Sequence, residues 1–167
     1  MMSIAFLPRF THSAILASLF VVAPVLTNAT VYFVDAAQPN DTGNGLSWPT
    51  AMQKIQTAID SSAVGDTVLV KYGTYTITTD LVITSDRKIT SDDGTNDSWY
   101  SAAYSDSLCL IDAGASGRVL TITGSDVTEA TWIRGLKMTG GRATGESPGA
   151  AYGGGVFIGG GADPKFW

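Results

Sequence analysis

Histidine is all but missing from this 167-residue chain. The single copy, His12, falls in an N-terminal stretch expected to be removed. Chemistry that needs an imidazole base or a histidine metal ligand is therefore excluded from the remainder. Cysteine is equally scarce. Cys109 stands alone, so no internal disulfide can form, even in a compartment that would allow one. It sits in the apolar run Leu108-Cys-Leu-Ile111, a setting for packing rather than for a reactive thiol. Basic residues are few and scattered: 10 Lys and Arg stand against 15 Asp and Glu, for a net charge of −5. With no basic run, nucleic acid and anionic lipid are poor partners. Beyond residue 26 there is no apolar run of the ~20 residues that a membrane span needs.

The chain does carry a leader pattern. Arg9 and His12 precede an uncharged apolar run over residues 14–26, and Thr27-Asn-Ala29 ends it with small residues. This is the layout of a secretory signal. Residues 1–29 are expected to be a signal peptide, and residues 30–167 an exported domain, secreted or held at the cell surface.

Within that domain, residues 63–75 set the pattern. Gly65-Asp66 opens a turn, Val68 and Val70 alternate with Leu69, and Gly73 turns the chain again. The spacing predicts a short strand with its valines inward. Just upstream, Met52, Ile55, Ala58 and Ile59 fall on one stripe at helical spacing, and Thr50 and Gln53 have capping-box spacing. A helix over residues 50–62 is expected, too short to stand alone and suited to closing the end of a strand stack. Short apolar strands recur at residues 31–34, 81–83, 88–90, 108–111, 119–122, 131–133, 136–138 and 156–158, each bounded by turn formers.

The reading is all-β. A sandwich or barrel would have longer strands joined by Asn-Gly hairpins, yet Asn44-Gly45 occurs only ahead of the helix. Steps of 22, 27 and 20 positions along Ile89, Ile111, Met138 and Ile158 give a ragged period suited to a solenoid.

Tyr32-Phe-Val-Asp35, Gly45-Leu-Ser-Trp48, the helix, residues 65–75, Ile133-Arg-Gly-Leu-Lys-Met-Thr-Gly-Gly141 and Gly153-Gly-Gly-Val-Phe-Ile158 together resemble the N-terminal part of secreted right-handed parallel β-helix proteins. These have the pectin-lyase-like fold and include polymorphic outer-membrane and surface proteins. The resemblance implies a right-handed parallel β-helix solenoid with an N-terminal capping α-helix. It covers most of the exported part. Because nothing after residue 158 looks like a closing cap, the chain is expected to be a piece of a longer protein.

The fold hosts enzymes, adhesins and inert stalks alike, so activity must be read from residues. A lyase of this kind would use calcium on clustered carboxylates and a Lys or Arg base. Asp92, Asp93 and Asp97 are the densest acids, and Lys137 and Arg134 the nearest bases in pattern, but no motif joins them. No catalytic or metal-ligating residue is assigned, and calcium has no motif behind it. Trp99, Tyr100 and Tyr104, in a polar loop, are the candidate ligand surface, since exposed aromatic rings stack on sugars. The glycine-rich stretch over residues 140–161 lacks Gly-Lys-Ser/Thr and is no phosphate loop. The functional expectation is a non-catalytic module for surface attachment or contact with a polysaccharide. The alternative is the N-terminal part of a polysaccharide lyase or hydrolase.

Overall fold

The computed structural model describes residues 28–92, 109–143 and 153–166. Eleven strands lie along these residues. In chain order they are β1 (Val31–Val34), β2 (Thr67–Lys71), β3 (Thr74–Thr76), β4 (Leu81–Ile83), β5 (Lys88–Asp92) and β6 (Cys109–Asp112). Then come β7 (Leu120–Thr123), β8 (Trp132–Arg134), β9 (Leu136–Thr139), β10 (Val156–Gly159) and β11 (Lys165–Phe166). One 3-10 turn, Trp48–Thr50, and one helix, α1 (Ile55–Ser61), complete the set.

The strands form three sheets, and every pairing is parallel. Sheet A runs β1-β2-β5-β8-β11, sheet B runs β3-β6-β9, and sheet C runs β4-β7-β10. From β2 onward the chain visits sheets A, B and C in strict rotation, three times over, before returning to A with β11. Sequential strands are therefore never hydrogen-bonded neighbours after the β1–β2 pair. The partner of each strand comes one pass later along the chain.

Registered side chains share a face in parallel strands. The inward columns are Val68–Ile89–Ile133 in sheet A, Tyr75–Ile111–Met138 in sheet B and Leu81–Leu120–Val156 in sheet C. Val68, Val70, Ile83, Ile111 and Ile122 are completely buried, as the alternation around Leu69 predicts. Each such side chain contributes roughly 1.5–3 kcal/mol by leaving water. Cys109 joins this core, and burial pushes its thiol up to about 12, so it packs and stays protonated. The 27-position step from Ile111 to Met138 is a true neighbour relation within sheet B. The steps from Ile89 to Ile111 and from Met138 to Ile158 join residues of different sheets, so they are not repeats.

The helix differs from its expected start. Thr50 ends the 3-10 turn and residues 51–54 are not helical: Met52 instead forms a parallel bridge with Val34, donating its N–H to the Phe33 carbonyl and accepting from the Asp35 N–H. The Thr50 hydroxyl pairs with Ser47, so no capping box forms. Lys54 takes the N-cap position without a side-chain cap of its own. The cap comes from Asp41 in the preceding loop. Its carboxylate accepts the Gln53 N–H at 2.8 Å, the Lys54 N–H at 3.0 Å and the Thr57 hydroxyl. Gly43 lets this loop approach: a Cβ there would sit 2.3 Å from the Thr50 carbonyl oxygen.

Ile55, Ala58 and Ile59 are buried as the stripe predicts, and α1 packs on β1, β2 and β4. At its far end Arg87 takes over. Its Nε donates to the Ile59 carbonyl at 3.0 Å and the Ser62 hydroxyl at 2.7 Å, and one terminal nitrogen donates to the Ser62 carbonyl at 2.9 Å. The other terminal nitrogen holds the Ser85 carbonyl and hydroxyl. Thus α1 is fastened at both ends by residues distant in sequence. Among the described residues no helix is long and apolar enough to cross a membrane.

Candidate functional site

The outward face of sheet A has the richest chemistry in the described chain. With the valine and isoleucine column turned inward, the alternate positions point out. One outward row reads Thr67, Lys88, Trp132, Lys165 across β2, β5, β8 and β11. A second reads Phe33, Leu69, Thr90, Arg134 across β1, β2, β5 and β8. A third pairs Lys71 with Asp92. Neighbours within a row are about 4.8 Å apart, the strand spacing of a sheet.

Two aromatic and ammonium pairs stand on this face. Trp48, on the 3-10 turn, meets the Phe33 ring edge-on at 4.8 Å between centroids. Lys71 Nζ lies 5.8 Å from the Trp48 ring and 2.7 Å from Asp35 Oδ2. On the next two strands of the sheet, Lys88 Nζ lies 5.9 Å from the Trp132 ring. Lys165, registered beside Trp132, reaches Glu129 at 2.7 Å. Contacts of this kind are weak at exposed sites, where water screens them. They orient the side chains without locking them, so a ligand can replace them at little cost.

The electrostatics favour holding over proton transfer. The Asp35 hydrogen bond and charge raise the Lys71 pKa, so its ammonium persists and cannot act as a base near neutrality. Burial pushes Asp35 up, but the Lys71 ammonium and the Ala37 N–H more than offset it, leaving the carboxyl below its ordinary range. What the face can do is stack on an apolar ring surface while its ammonium groups meet hydroxyl or carboxylate oxygens.

The residues singled out from sequence are distributed as follows. Trp99, Tyr100 and Tyr104 lie outside the described residues, as do Asp93 and Asp97. Asp92 and Arg134 are both on sheet A, whereas Lys137 is exposed on the outer side of β9 in sheet B, opposite Leu110. Asp92 and Lys137 thus stand on different sheets. Among the described residues, no three His, Cys, Asp or Glu side chains converge as cation ligands. Trp132 lies on the wall, as expected for a residue beside Ile133, with its ring on the outward side. Phe33 and Trp48 were not legible as one site, because only the fold of the intervening loop brings them into contact.

Three carboxyls tie this architecture to pH. Asp35, Asp41 and Asp86 all sit below their ordinary range. For Asp41 and Asp86 burial acts upward, and hydrogen bonds outweigh it: Thr57, Lys54 and Gln53 for the first, Thr128 and Thr131 for the second. A depressed folded pKa means the stabilisation is complete above the unfolded value of about 3.9 and is lost as pH falls through the folded values. Calorimetry is expected to give a Tm that is level from about pH 7 to 5 and drops below about pH 4. Asp41→Asn should have a shallower acid limb. An identical limb in the variant would remove Asp41 from the linkage.

Compared with family models, curated protein sequences and solved structures, the chain matches none.

Proposed function

We propose that this chain is the N-terminal part of an exported right-handed parallel β-helix of the pectin-lyase-like kind, and that its exported region serves surface attachment through carbohydrate contact without catalysis. The rotation of the chain through three parallel sheets supports the solenoid reading. In that reading α1 covers the first turn of the coil, and the leader over residues 1–29 directs export.

The observation that carries the binding role is the pair of Trp and Lys stations, Trp48 with Lys71 and Trp132 with Lys88, on one outward sheet face. A linear polysaccharide with uronic acid units has both features such stations recognise, a flat apolar ring face and a carboxylate. Lys71 and Lys88 stand on neighbouring strands, and Phe33, which meets the Trp48 ring, is three strand spacings, about 14 Å, from Trp132, so a single short oligosaccharide can reach both stations.

Titration of the purified exported protein with oligogalacturonate, followed by calorimetry, tests this. Trp132→Ala is expected to weaken binding about tenfold, near 1.4 kcal/mol. Binding unchanged by that substitution, or no binding to any member of a glycan array, would refute the assignment.

A further inference from the structure

At the helix end of the molecule each sheet begins with one edge strand, and the three edges are finished differently. In sheet A the outward main-chain groups belong to Phe33. Its N–H donates to the Gly45 carbonyl at 2.7 Å, and its carbonyl accepts the Met52 N–H at 2.9 Å. In sheet C they belong to Val82, and the Gln56 side chain replaces a strand there. Its Oε1 accepts the Val82 N–H at 2.8 Å and its Nε2 donates to the Val82 carbonyl at 3.3 Å. Sheet B begins with β3. There Gly73 and Ile77 bond toward β6, through the Leu110 N–H and the Asp112 carbonyl. The parallel ladder alternates, so the N–H and C=O groups of Thr74 and Thr76 point to the opposite side. Among the described residues no group bonds to them.

That open edge faces a cleft of about 370 Å³ bounded by Ala36, by residues 53–56 at the start of α1 and by residues 74–79. Lys54 is the one charged residue among the described residues that line it. Thr74 and Thr76 are exposed, and Tyr75 between them is buried. We infer that β3 is a strand-addition site, which takes an extended segment of another polypeptide carrying a carboxylate side chain. Main-chain donors and acceptors repeating every second residue are matched by an extended peptide. The Lys54 ammonium selects a carboxylate among its side chains. The inference concerns a protein partner and stands apart from the sugar-facing side of sheet A.

The test uses an acetylated, amidated hexapeptide of alternating valine and glutamate, titrated into the exported protein and followed by amide NMR shifts. Saturable shifts centred on Thr74, Thr76 and Lys54 are expected. Thr76→Pro deletes the edge donor without touching the ladder to β6, and should weaken binding at least tenfold with the far-UV circular dichroism retained. Lys54→Glu should shift preference to the valine and lysine counterpart. If Thr76→Pro fails to fold, a peptide N-methylated at alternate residues serves the same purpose and should not bind. Shifts elsewhere, equal binding by Thr76→Pro or by the N-methylated peptide, or no saturable shift would overturn the inference. A dimer that Thr76→Pro dissociates, with no peptide binding, would overturn it in favour of a second copy of this chain.

Discussion

Replacing Arg87 with alanine is expected to destabilise the protein by about 3 kcal/mol, lowering Tm by about 10 °C. The reason is the number of acceptors that one guanidinium serves. Its three nitrogens reach the Ile59 and Ser62 carbonyls at the end of α1, the Ser62 hydroxyl, and the Ser85 carbonyl and hydroxyl at the corner before β5. The Ile59 carbonyl keeps the Ser62 N–H and hydroxyl, but the carbonyl of buried Ser62 loses its donor when Arg87 becomes alanine. An unsatisfied buried acceptor costs about 1–3 kcal/mol, and the other charge-assisted bonds of the same guanidinium are lost with it. Arg87→Lys keeps the charge but not the fork, and should recover less than half of the loss. Denaturant unfolding of the three proteins side by side checks this. A lysine variant as stable as the parent would mean that charge, not the forked geometry, fastens the helix.

Asp41→Ala is the second large effect, about 2 kcal/mol. The Asp41 carboxylate holds two backbone N–H groups at the entry to α1 and the Thr57 hydroxyl one turn in. Losing it frees both the helix start and the loop that carries Trp48. Hydrogen exchange should therefore speed up at residues 53–57 while β7, the central strand of sheet C, stays protected. Asp41→Asn, which retains one acceptor oxygen, should cost roughly half as much. Uniform acceleration across all three sheets in the alanine variant would show that the cap is not a local fastening.

These two residues also mark where sequence reading stops. Strands with strict alternation and firm turns were legible almost to the residue. Leu81–Ile83 was read at its full extent, and Val68 and Val70 point inward as the pattern around Leu69 requires. The helix was legible as an apolar stripe but not at its start. The Thr50 and Gln53 spacing imitates a capping box, while the actual cap is a dozen positions upstream and carries no local signal. Met52 fits the stripe equally well in either state, and the bridge to Val34 decides the matter.

Neither β3 nor β11 is among the strands that the sequence pattern predicts. Each has only one inward or outward pair of residues to show, too few for a period to emerge. The sheets posed a different difficulty. Every strand has the same apolar look, so nothing local says that Ile111 belongs with Met138 while Ile89 belongs with Ile133. That ambiguity also hid the face of sheet A: Phe33, Lys88 and Trp132 are separated by dozens of residues and become neighbours only through register.

The claim on which the rest depends is that successive strands pass through three sheets in turn, each stacked in parallel on the strand of the next pass. Paired cysteines on the outward faces test it most directly in a Cys109→Ala background. The pairs are Thr67 with Lys88 in sheet A, Thr74 with Leu110 in sheet B, and Val82 with Thr121 in sheet C. Registered strands put Cα atoms about 4.8 Å apart, within disulfide range. The account predicts intramolecular disulfides in all three, detected by mass spectrometry, and none when one partner is moved two residues along its strand. Efficient bonding of the shifted pairs, or of sequential strands such as β3 with β4, would contradict it.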